Sequence, residues 1–157
     1  MVFQPNRNSR IDSLSEINTT FVAQYIRSIL SYIIMLQEGL QHVSELTVND
    51  AVTAIAMGSG DMPVLATPAM MALMENAAML AVADHLPDDC TTVGGHISAS
   101  HVKPSKPGDT ITATATVTRI DGKKLEFTIQ AHCGDVLLGE GTHLRFIVDK
   151  AKFMSRL

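Results

Sequence analysis

Between Met62 and Ala83 the chain is an almost unbroken run of Ala, Met, Leu and Val, with Glu75 as its one charged side chain. The core of that run, "TPAMMALMENAAMLAVADH" (67–85), opens on Thr-Pro and is followed by Pro87. Threonine suits an N-cap, and proline suits the first turn, where its missing N–H has no partner to lose. The pattern predicts a helix of about five turns that ends before Pro87. Downstream, apolar residues recur at every second position. "TITATATVT" (110–118) alternates threonine with Ile111, Ala113, Ala115 and Val117, and "KLEFTIQAHC" (124–133) sets Leu125, Phe127, Ile129, Ala131 and Cys133 on one face. Asp121-Gly122 and Gly134-Asp135 read as the turns that join these strands to each other and to "VLLGEGTHLRFIV" (136–148). A further strand is expected over Thr91–Val102, ended by Pro104, and a first one over Leu40–Val48.

One long apolar helix and at least four antiparallel strands define an α+β protein. A helix without a polar face must be covered on every side, and a curved sheet wrapped around it provides that cover, in the manner of a hot-dog fold. The first 34 residues read differently: a polar stretch, then sixteen largely apolar residues, Phe21–Leu36, interrupted by Arg27. Sixteen is short of the ~20 residues a membrane span needs, and no small-residue cleavage site follows. Residues 1–34 form an N-terminal extension. It is read either as an amphipathic helix lying on the domain or a partner, or as a segment upstream of a start at Met35. Residues 35–157 form the domain.

Composition narrows the partners. With 12 basic against 16 acidic side chains and a net charge of −4, the chain has no basic block to hold nucleic acid. Cys90 and Cys133 form no paired motif, so a reducing cytoplasm is expected. The six histidines have no metal-ligand spacing, and no metal site is expected.

Glu75 is then the anomaly, because an unpaired carboxylate in an apolar interior costs several kcal/mol. The turns around it offer no other polar side chain except Asn76, about 100° away, so no solvent stripe accounts for it. A buried carboxylate beside a polar cavity is the economical reading. Thr67 lies eight residues earlier, about 80° round the helix; its hydroxyl is either an N-cap or a group at the helix's positive end, where an oxyanion would be favoured. His101 is expected at a strand end, sharing by alternation the helix-facing side with Val93, Ile97 and Ala99, while His96 points away. Gly94-Gly95 permits a bulge or a close approach.

These residues carry a resemblance. "ATPAMMALMENAAMLA", "VGGHISASHVKPSKPGD" and "GEGTHLRFIVDKAKF", in that order, are similar to the fluoroacetyl-CoA thioesterase family of hot-dog proteins. The likeness covers roughly residues 66–153 and leaves out 1–34. It implies a catalytic set of Thr67, Glu75 and His101, with Gly94 and Arg145 meeting substrate or coenzyme A, and Lys103 or Lys106 near its phosphates. It further implies an acyl-CoA substrate, no cofactor beyond the coenzyme A that the substrate carries, and a homodimer with the site between chains. The family's phenylalanines before the threonine are missing, since "MGSGDMPVLA" holds no aromatic residue. A short or medium acyl-CoA is therefore expected in place of the fluorinated one. Rival readings are a non-catalytic acyl-CoA binding module, an enoyl-CoA hydratase or dehydratase, and a structural pairing of Glu75 with Arg145 or a lysine.

Overall fold

The computed structural model describes residues 21–26 and 35–157. The chain divides into two units, Met1–Met35 and Leu36–Leu157. In the first, residues 21–26 are helical, and the remainder of the expected N-terminal helix lies outside the described residues.

In the second unit β1 (Gln41–Thr47) and a 3-10 turn (Asp50–Val52) precede α1 (Thr67–Ala83). Four strands follow: β2 (Cys90–Ala99), β3 (Thr110–Asp121), β4 (Lys124–Cys133) and β5 (Val136–Asp149), then a short α2 (Lys150–Met154). All pairings are antiparallel, in the order β1-β3-β4-β5-β2, which leaves β1 and β2 as edges. This is the helix-on-curved-sheet arrangement the pattern predicts. Gly122 and Gly134 close the two hairpins with φ of +58° and +54°, a region that glycine enters without strain.

The alternation in β3 and β4 does what it predicts. Ile111, Ala113, Ala115, Val117, Leu125, Phe127, Ile129 and Ala131 are buried beneath α1, which contributes Met70, Met74, Ala77, Ala78 and Val82. Met70 and Met74 are fully buried, and each contributes roughly 1.5–3 kcal/mol through the apolar area it hides. Glycine lets the helix settle close: a Cβ on Gly139 would meet the Met70 side chain at 2.8 Å. Asn76 fixes the helix laterally, its Oδ1 accepting from the Ser44 hydroxyl at 2.7 Å.

Three local expectations need correction. The N-cap is Ala66, in extended conformation and without a side-chain cap, so Thr67 is the first helical residue and its hydroxyl is not used for capping. The helix is not covered on every side: Pro68, Ala72, Asn76 and Leu80, four residues apart, form an open stripe. Finally, the register of β2 on β5 shifts between Gly94 and His96. The extra residue of this bulge reverses the facing of everything after it. Before it Thr92 and Gly94 look toward the helix; after it Ile97 and Ala99 do. Val93 is on the opposite face.

Candidate active site

The start of α1 and the loop after β2 bring the first pair together. Thr67 Oγ1 lies 2.9 Å from His101 Nδ1. Because Ala66 takes the cap position, the hydroxyl is free to donate to the imidazole. The other ring nitrogen, Nε2, is shut off from water. Burial pulls the His101 pKa below its ordinary value, opposed by a backbone hydrogen bond at Lys103, so the ring is neutral at pH 7. A cavity of about 300 Å³ opens beside the pair, lined by Ala54, Val64, Leu65, Val102 and Lys103 among others.

A second cluster forms two turns further along α1. Glu75 Oε1 is 3.6 Å from His143 Nε2 and 4.0 Å from Arg145 Nη1. His143 and Arg145 project from the helix-facing side of β5, where alternation with the two glycines 139 and 141 places them. Arg145 is held on several sides. Its Nε donates to Thr92 Oγ1 and its Nη2 to the Thr92 carbonyl, both at 2.8 Å, and Nη1 meets His143 Nε2 at 3.1 Å. His143 Nδ1 donates to the His96 carbonyl at 2.7 Å. Burial, and then the Arg145 charge, lower the His143 pKa, against the His96 carbonyl and Glu75. Burial likewise lowers that of Arg145, opposed by Glu75.

Several expectations change here. Glu75 is not buried in the single chain: its side chain is 42% exposed. The imidazole beside it is His143, a residue the sequence reading did not single out. Eight residues separate Thr67 from Glu75, about 12 Å along the helix axis, and no hydrogen bond or ion pair joins the two clusters among the described residues. Arg145 lies 6% exposed beneath Glu75 rather than on the surface where a phosphate would arrive. Lys103 and Lys106 are exposed. Taken chain by chain, the separation of Glu75 from His101 is what a purely structural Glu75–Arg145 pair would give. Yet the contact is long, 4.0 Å, and its carboxylate is 42% exposed, so pairing with the buried Arg145 alone does not explain a lone acid in this helix.

Gly94 leaves room for the carboxylate. A Cβ there would sit 2.8 Å from Glu75 Oε1 and 3.4 Å from His143 Cε1. Gly94→Ala is expected to displace the carboxylate by a few tenths of an ångström or more. Turnover should fall by about 10- to 100-fold with the melting temperature nearly unchanged, because misplacing a reacting group is costly while a half-exposed side chain moves freely. Steady-state rates alongside a thermal melt check this; wild-type turnover would show that the carboxylate tolerates the shift.

The two lowered histidines also set a pH dependence. The native fold holds both rings neutral, whereas the unfolded chain takes up protons near the ordinary value of about 6.5. Stability contributed by the neutral rings is therefore complete above about pH 6.5 and is lost as pH falls toward the native pKa values. Melting temperatures should decline from about pH 7.5 to 5.5. A flat profile would mean that neither ring is held neutral.

The family model described as fluoroacetyl-CoA-specific thioesterase matches residues 48–151. The fluoroacetyl-CoA thioesterase of Streptantibioticus cattleyicolor is 34% identical over 94 residues, covering 60% of this chain and 68% of that one. A crystal structure of the fluoroacetyl-CoA-specific thioesterase FlK superposes with a TM-score of 0.72 at 28% identity, over 77% of this chain and 94% of its own. A thioesterase superfamily member from Thermus thermophilus, at 24% identity and a TM-score of 0.71 over 76% and 89% of the two chains, shares the fold.

Proposed function

The chain belongs to the fluoroacetyl-CoA-specific thioesterase family, and we propose that it hydrolyses short or medium acyl-CoA at a composite site, where the Thr67–His101 pair of one protomer faces the Glu75 cluster of a second. It is a thioester hydrolase; the composite site, the residue roles and the acyl range are the proposal. One observation carries it: the chain builds both halves of a reaction centre, yet holds them two helical turns apart. Supporting it, β2 is an unpaired edge, and α1 leaves a stripe of Pro68, Ala72 and Leu80 uncovered. A homodimer supplies what each of these lacks.

In this arrangement the Glu75 carboxylate either attacks the thioester carbonyl carbon or takes a proton from the water that does. Where water attacks, its oxygen bonds to the carbonyl carbon, the C–S bond breaks, and the proton taken by Glu75 passes through neutral His101 to the departing thiolate. Where Glu75 attacks, the C–S bond breaks to leave a mixed anhydride, and a water then cleaves it, restoring the carboxylate and releasing the acid, while one of the water's protons passes through His101 to the thiolate. Thr67 orients that ring. Amides at the start of α1 and at Gly94 are the proposed donors to the carbonyl oxygen, since a helix start favours developing negative charge. Lys103 and Lys106 replace Arg145 as the groups for coenzyme A phosphates, since Arg145 is buried and hydrogen-bonded to Thr92 and His143. No cofactor is required beyond the coenzyme A of the substrate.

The acyl range follows from the segment before Thr67. Residues 57–66 contain no aromatic side chain, while Met57 and Met62 are exposed and adaptable in shape. Free-thiol release from a series running from fluoroacetyl- and acetyl- to dodecanoyl-CoA should show turnover on short or medium chains, without the preference for fluoroacetyl that an aromatic seal would give. No thiol from any member would overturn hydrolysis. A strong fluoroacetyl preference would overturn the specificity argument.

A further inference from the structure

We infer that His143 is a positioning residue for the reaction: its Nε2 accepts a hydrogen bond from Arg145 Nη1 and so aims the guanidinium at Glu75. The inference rests on the reading of Glu75 as the reacting carboxylate. The geometry fixes the proton on the ring. The His96 carbonyl can only accept, so His143 Nδ1 carries hydrogen at its 2.7 Å contact. Arg145 Nη1 can only donate, so Nε2, 3.1 Å away, must be bare. A protonated ring would set two donors against each other in a site only 1% exposed at the imidazole. With Nε2 bare, the 3.6 Å approach to Glu75 is not an ion pair, and Arg145 is the cation that the carboxylate faces. Nη1 has two hydrogens. One goes into His143, which leaves the other directed toward Glu75 and the helix carbonyl beside it, 3.5 Å away.

The groups that face the ring are Glu75 from α1, Arg145 from β5, the His96 backbone and imidazole from β2, and the Phe127 ring of β4, 6.3 Å away. None but Arg145 can donate a hydrogen bond to Nε2 at the distances found. A leucine at 143 would fill the space and leave Nη1 without its acceptor. A glutamine would return an amide oxygen to about the place of Nε2.

The test is paired. His143→Leu should lower kcat at least tenfold with KM within about twofold, and His143→Gln should recover most of the loss. A purely packing role predicts the reverse order, with leucine the better tolerated. Leucine turnover within twofold of wild type would overturn the inference, as would equal loss in both variants. Nitrogen-edited spectra of the wild-type histidines, which need no variant to fold, should show position 143 as an Nδ1–H ring with bare Nε2 that stays neutral to below the ordinary imidazole range. A ring that titrates near its ordinary value would overturn it too. If wild type releases no thiol from any acyl-CoA, the thioesterase reading falls, and the same spectra still decide whether His143 holds Arg145 in this way.

Discussion

Glu75→Gln is expected to reduce thioester turnover by about 10²- to 10⁴-fold, the range over which a positioned acid or base contributes. The substitution keeps the side chain's length and its capacity to accept from Arg145, and removes the charge that attacks carbon or withdraws a proton. Little else should change. The side chain is 42% exposed, its contact with the buried Arg145 is long at 4.0 Å, and glutamine still offers that guanidinium an acceptor. Arg145 keeps both Thr92 contacts and its contact with His143. The expected signature is a folded protein with a near wild-type melting temperature, intact acyl-CoA binding and almost no thiol release. Thiol detection and a thermal melt on the same preparation separate this from misfolding. Wild-type turnover in the glutamine variant would remove Glu75 from the chemistry and return it to a structural role.

How much of this could be read from residues alone differs between the scaffold and the site. The scaffold was legible because its signals are local: an apolar run opened by Thr-Pro, threonine alternating with apolar residues through 110–118, and glycines at 122 and 134 that the hairpins require. The site depends on three things local pattern does not carry. Thr67 resembles an N-cap, but the extended backbone at Ala66 takes that position one residue earlier and frees the hydroxyl for His101. Strict alternation along β2 fails at the Gly94–His96 bulge; the reading placed His101 correctly through Ile97 and Ala99 and placed Val93 on the wrong face. His143 lies 68 positions after Glu75, and only the sheet order brings them together. A signal was present. Counting back by two from Arg145 gives His143, Gly141 and Gly139, two polar side chains and two glycines on a face that opposes the apolar Leu125 and Phe127. Polar residues on the inward face of a strand mark a site, because burying them without partners costs about 1–3 kcal/mol each. The open stripe on α1 was illegible for another reason. A helix that is apolar all round does not say whether its cover comes from its own sheet or from a second copy.

That question has a direct answer in mixed dimers. Thr67→Ala and Glu75→Gln, each alone, should be nearly inactive. Co-expressed in equal amounts, they should regain about a quarter of wild-type turnover, because half of a random population is mixed and each mixed dimer holds one intact site of its two. The intact site takes Thr67 and His101 from the glutamine chain, and Glu75, His143 and Arg145 from the alanine chain. The prediction rests on the roughly 12 Å between positions 67 and 75 along one rigid helix, too far for one small acyl carbonyl to touch both side chains of the same protomer. It is a fair test because the alanine variant should fold: Thr67 is not the cap, so its loss leaves no helix-end amide newly unsatisfied. If both halves acted within a single chain, every site in the mixture would carry one lesion and turnover would stay at the level of the separate variants. Recovery well above that level requires the carboxylate and the imidazole that serve one thioester to come from different copies. The half-exposed Glu75, the unpaired edge of β2 and the open stripe on α1 would then be three views of the same missing surface.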